Sequence, residues 1–130
     1  MNEIAKEMLG TIADFKGEFK GAYNIRINGA CASRQSTENI KIAQKEDAPG
    51  LAVTVAAGTV GETVYVPACV TAGGVDDLVY NDFFIGEGAD VTIVAGCGVH
   101  SDDEAEAKQY NISSTQSLFG IITDNMQFPV

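Results

Sequence analysis

The sequence predicts a mainly β protein led by one α-helix. Three observations carry this. Apolar residues recur at helical spacing only at the start of the chain. From Tyr23 onward they alternate with polar residues. The alternating segments are separated by turns rich in Gly, Asn and Asp.

The first element follows from Ile4, Met8, Ile12 and Phe15, spaced four, four and three apart, with Leu9 and Phe19 beside the stripe. Asn2 is placed to cap its start, while Gly17 and Gly21 weaken and then end the pattern. The polar face is mixed in sign, so an amphipathic helix capping a core is favoured over a membrane-surface helix. The alternation begins with Tyr23, Ile25 and Ile27 set between Asn24, Arg26 and Asn28. Ile40 and Ile42 follow; then Leu51, Val53 and Val55 after Pro49-Gly50; then Val64 and Val66, ended by Pro67. The run from Leu78 to Ile85 and the run Val91, Ile93, Ala95 complete the set. Only Asp102 to Lys108 has any further helical propensity.

Short strands of this kind fit a sandwich, a barrel or a solenoid. Hairpin dipeptides are scarce, Asn28-Gly29 being the single Asn-Gly pair, and this argues against a hairpin meander. Phe84 to Ile93 reads as a strand, a corner of small residues (Gly86 to Ala89) and a second strand. Such corners favour a solenoid over a sandwich, although no strict repeat period is visible.

Composition excludes several function classes. The chain has 130 residues, which fits one domain, and 45% hydrophobic residues, which is a folded composition. It carries 18 acidic against 8 basic residues, a net charge of −10. Phosphate-backbone binding draws on Lys and Arg, so neither nucleic acid nor an anionic membrane is an expected partner. A basic protein or a cation fits better. Glu3, Lys6 and Glu7 interrupt the apolar pattern of the first ten residues, so no signal peptide is expected. Cys31, Cys69 and Cys97 are an odd, widely spaced set, a poor disulfide framework, and the expected location is the reducing cytoplasm.

The densest chemistry lies in Gly96-Cys97-Gly98-Val99-His100-Ser101-Asp102-Asp103-Glu104, which holds the single histidine. Cys97 and His100 are both able ligands for a soft or borderline metal, yet a structural metal site needs about four ligands and no C-x-x-C or H-x-x-H completes this one. Cys97, His100 and Asp102 also supply the residue types of a thiol hydrolase, but those groups ordinarily converge from distant parts of a chain. Cys31 and Cys69 read as core or near-core thiols. The acidic run Asp102, Asp103, Glu104, Glu106 reads as a solvated face, and Asp76-Asp77 as turn chemistry. Neither G-x-x-x-x-G-K-[ST] nor G-x-G-x-x-G occurs, so no nucleotide site is predicted, and the expectation is a protein that is not an enzyme.

Four phrases resemble the SufB/SufD-like scaffold proteins of iron–sulfur cluster assembly. They are Gly21-Ala22-Tyr23-Asn24-Ile25-Arg26, Thr63-Val64-Tyr65-Val66-Pro67, Asp77-Leu78-Val79-Tyr80-Asn81-Asp82-Phe83 and, most specifically, Val94-Ala95-Gly96-Cys97-Gly98-Val99-His100. The resemblance runs from about Ile4 to Lys108. It implies a right-handed parallel β-helix (β-solenoid) behind an N-terminal α-helix. The divisions it suggests are a helical cap at 1–20, a partial solenoid core at 21–108 and a divergent tail at 109–130, as a truncated family member would have. It further implies a homo- or heterodimer with a SufB/SufD-like subunit, a SufC-like ABC ATPase as partner, and a transient iron–sulfur cluster. Cys97 would be its thiolate ligand or sulfur acceptor, and His100 a ligand or the base that lowers the thiol pKa. The alternative is a structural or interaction module with no cluster of its own. A solenoid cut across its stack would expose an unpaired edge, so self-association is expected.

Overall fold

The computed structural model describes residues 3–13, 19–100, 107–117 and 121–127, and the side chains of these except 4, 11–13, 117 and 121–127. Helix α1 (Glu3–Ala13) is followed by ten strands: β1 (Ala22–Ile27), β2 (Ala30–Gln35), β3 (Ile40–Gln44), β4 (Leu51–Val55), β5 (Val60–Tyr65), β6 (Ala68–Val70), β7 (Asp76–Ile85), β8 (Asp90–Val99), β9 (Lys108–Ser117) and β10 (Ile121–Gln127). They form two sheets. Sheet A has the order β10-β8-β5-β1-β2, with β6 pairing to β1 and β8; sheet B has the order β3-β4-β7-β9.

The expected right-handed parallel β-helix is not what forms. Both sheets are mixed: β1 pairs antiparallel with β2, and β3 antiparallel with β4, while the remaining pairs are parallel. The physical reason for the first departure lies in Asn28-Gly29. Both residues have positive φ, 51° and 82°, the backbone of a two-residue turn whose twist suits a hairpin. Asn28 then locks that turn in place. Its Oδ1 accepts from the backbone N–H of Thr71 and Ala72 at 2.8 and 3.2 Å, and its Nδ2 donates to the Thr71 hydroxyl.

The small-residue corner is real. β7 ends at Ile85 and β8 begins at Asp90, and the corner between them lies over an earlier one at 56–59. Gly58 N donates to Glu87 O, Gly86 N to Val55 O, and Asp90 N to Thr59 O. A Cβ at position 86 would sit within 2.5 Å of the Ala57 nitrogen, so only glycine permits this approach.

Two cores result. Between the sheets lie Ile40, Ile42, Leu51, Val53 and Val55 of β3 and β4, Phe83 and Ile85 of β7, and Val64, Val91 and Ile93 of β5 and β8. On the other side of sheet A, Met8 and Leu9 of α1 pack with Phe19, Ile25, Cys69 and Val94. Phe19 stacks on Tyr65 with ring centroids 4.4 Å apart. The buried helix face is therefore Ala5, Met8 and Leu9; the side chains of positions 4 and 12, and residues 2, 15 and 17, lie outside the described residues. In sheet A, strands β1, β5, β6 and β8 carry buried residues of one core or the other, whereas β2 is largely exposed. The second sheet is covered only on its inner face.

Residues 109–117 belong to β9, which pairs with β7 along its length, from Asp76↔Lys108 to Ile85↔Ser117. Strand β10 pairs with β8 from Asp90↔Ile121 to Gly96↔Gln127.

Candidate functional site

Cys97 lies within β8 and His100 just past its last residue, Val99. Position 97 lies in β8, opposite Ala68 of β6, which in turn pairs with Arg26. Arg26 and Ala68 face the second sheet. Successive side chains in a strand point to opposite faces, so position 97 shares the face of Val91, Ile93 and Ala95, toward the second sheet. His100 is exposed just past the strand end, where its backbone N–H continues the ladder by donating to Val70 O at 2.8 Å. Cys69 pairs with Gly98 and sits in the helix-facing core. Asp102, Asp103, Glu104 and Glu106 lie outside the described residues.

Nor does the environment favour thiolate. Burial pushes the Cys97 thiol above its ordinary value. Burial, helped by the charge of neighbouring Cys97, pushes Cys69 up to about 12. Both are neutral thiols near neutral pH. Cys31 differs: it is exposed, and its thiol donates to Asn24 Oδ1 at 3.4 Å. Among the described residues no three His, Cys, Asp or Glu side chains cluster as a metal site would require.

Two features appear that spacing alone did not point to. The first is a cavity of about 540 Å³ between the β1–β2 hairpin and the 45–50 loop. Its lining includes Asn24, Arg26 and Arg34 from the hairpin side, Lys45 and Asp47 from the loop side, and Asn81 and Asn111 from sheet B. Both of the chain's arginines are therefore here. Arg26 is committed: its Nε and Nη2 donate to the two carboxylate oxygens of Asp77, each at 2.8 Å. With Asp77 5% and Arg26 20% exposed, this fork joins the two sheets as a largely desolvated pair. Lys45 binds Asp82 at 2.8 Å, and that bond holds its ammonium above its ordinary pKa. Among the described residues Arg34 uses only its Nε, donating to Asn24 Oδ1 at 2.8 Å.

The second feature is the outer face of sheet B. Leu78, Tyr80 and Phe84 of β7 are 41, 36 and 39% exposed, and Tyr110 and Ile112 of β9 are 52 and 50% exposed. Register places Leu78 beside Tyr110 and Tyr80 beside Ile112, so these four side chains form one apolar strip, while Asp82 and Ser114 separate Phe84 from it.

Comparison with known proteins finds no matching family model, no matching curated protein and no matching solved structure. Among the described residues no helix is long and apolar enough to cross a membrane.

Proposed function

We propose that this chain is a non-catalytic assembly subunit that pairs with a second copy of itself through β9 and the apolar strip of sheet B. The observation that carries this reading is the inverted amphipathicity of β9. By register its inward positions are Gln109, Asn111, Ser113 and Thr115, opposite Asp77, Val79, Asn81 and Phe83; Gln109 and Asn111 are covered and Ser113 and Thr115 exposed, whereas Tyr110 and Ile112 face out. A strand with one buried face places its apolar residues inward. Outward Tyr and Ile, on the strand that ends the sheet, suit a face that another protein covers.

A second copy fits this face because an edge strand offers its backbone groups to an identical edge by two-fold symmetry. Each copy carries −10, so two copies repel and their pairing tightens as salt screens them. A basic partner would show the opposite dependence. Sedimentation equilibrium tests this at low salt and at roughly 1 M, where the screening length is about 3 Å. The expected result is a monomer–dimer equilibrium that shifts to dimer at high salt and reverts to monomer in Tyr110→Lys and Ile112→Lys. A monomer in all conditions, or variants that dimerise as well as the parent, would overturn it.

A cluster-assembly role, with Cys97 and His100 handling iron or sulfide beside a SufC-like ATPase, draws its support from the sequence resemblance alone. Anaerobic reconstitution with iron and sulfide tests that role. A charge-transfer chromophore that Cys97→Ala abolishes supports it, and a colourless protein counts against it.

A further inference from the structure

The cavity beside the hairpin has a chemistry that the assembly reading does not use. It is enclosed by polar and charged groups, and its volume lies in the range of small-molecule sites, roughly 300–1,000 Å³. Its floor is uneven in character: Val66, Pro67 and Val79 are apolar, whereas Asn24 and Asn81 are buried amides only 3% and 5% exposed.

The cations that line it are not equivalent. Arg26 is satisfied by Asp77, and Lys45 by Asp82 and Asp47. Arg34 is held at the mouth by Asn24 through Nε alone, and among the described residues it has no carboxylate in ion-pair reach. In a chain with 18 acidic side chains, an arginine left without one stands out. A guanidinium fixed at Nε still presents its two Nη groups, which can clasp a carboxylate.

We propose that this cavity binds a small polyhydroxylated carboxylate, with the carboxylate on Arg34 and the hydroxyl body against the amide of Asn81. A carboxylate is preferred to phosphate because Glu46 and Asp47 also line the cavity and disfavour a second negative charge. Hydroxyl groups match amides, which both donate and accept.

Cys31 gives the test a local reporter. It lines the same cavity and is the exposed thiol, whereas Cys69 is buried and Cys97 half-buried. The probes are D-glucuronate, which carries both chemistries, and D-glucose, which carries only the hydroxyls. Each is titrated while Cys31 alkylation by iodoacetamide is followed by peptide mass spectrometry, and binding is read separately by NMR shift changes on the full chain. Glucuronate is expected to slow alkylation saturably and glucose to have no effect at equal concentration. Arg34→Gln is expected to weaken glucuronate at least tenfold, and Arg34→Lys less than that. Equal protection by glucose, no saturable protection by glucuronate, or unchanged affinity in Arg34→Gln would each overturn the proposal. Because Arg34 is exposed but donates to the buried Asn24, denaturation midpoints are measured for each variant, and the NMR spectrum of the unliganded chain must match the parent's away from the cavity, which separates lost binding from lost structure.

Discussion

Strands β3 and β9 lie at opposite edges of one sheet and are built inside out relative to each other. At the β3 end the rule of a one-sided sheet holds. Ile40, Ile42, Leu51, Val53 and Val55 point inward and are no more than 6% exposed, while Lys41 and Thr54 face water. At the β9 end the inner column is polar. Gln109 and Asn111 satisfy each other's amides there at 3.1 Å, and the apolar residues sit outside. One edge is finished by this chain's own core. The other is finished in water only at a cost in exposed apolar area. That difference, rather than any single residue, is what points to a covering partner.

Three perturbations sharpen the contrast, and the largest concerns what joins the sheets. Asp77→Ala leaves Arg26 desolvated and unpaired, and chemical denaturation should show a loss of about 3–5 kcal/mol. Replacing both residues with Met and Leu should recover much of that loss, because a buried pair exchanged for apolar groups is often neutral.

Next comes the direct comparison of the two edges. Ile40 is fully buried, so Ile40→Ala should cost about 2–4 kcal/mol through lost transfer energy and a residual cavity. Ile112→Lys, measured at a dilution where the chain is monomeric, should change stability by no more than about 0.5 kcal/mol. If Ile112→Lys destabilised the dilute monomer as much as Ile40→Ala, the outer strip would be part of the fold and not an interface.

The smallest effect is the pH response of the two shielded thiols. Cys69 and Cys97 both have raised folded-state values, so the neutral thiol is the form the fold favours. Their contribution is fully present below the unfolded thiol value of 9.0 and is lost as pH climbs from there, for Cys69 toward about 12. Stability should therefore decline above pH 9, and less so in Cys69→Ala once its own cavity cost is subtracted. A flat profile through that window would contradict the burial assigned to Cys69.

Much of the fold was legible in local pattern. Helix α1, the strand run from Tyr23 and the corner at Gly86 all sit where periodicity and small residues place them. Strand pairing was not legible, because parallel and antiparallel neighbours impose the same alternation on a single strand. The one local clue to a hairpin, Asn28-Gly29, was outweighed by the scarcity of other turn dipeptides. Strand β1 shows a second limit. Asn24 and Arg26 alternate with apolar residues, a pattern that ordinarily puts the polar set in water, yet both faces of β1 are covered, and these polar residues meet the second sheet. The cavity escaped for the same reason: its lining comes from β1, β2, the 45–50 loop, β7 and β9, which only folding assembles. The face of Cys97 could have been foreseen. The alternation through Val91, Ile93 and Ala95, carried two residues further, already places position 97 toward the second sheet.

Amide hydrogen exchange across β9, followed at low and high protein concentration, addresses the inside-out edge most directly. If a second copy covers that edge, amides of residues 109–116 slow as concentration rises while those of β3 stay constant. If the β9 amides exchange at one rate at both concentrations, the strip is bare surface and the assembly reading fails.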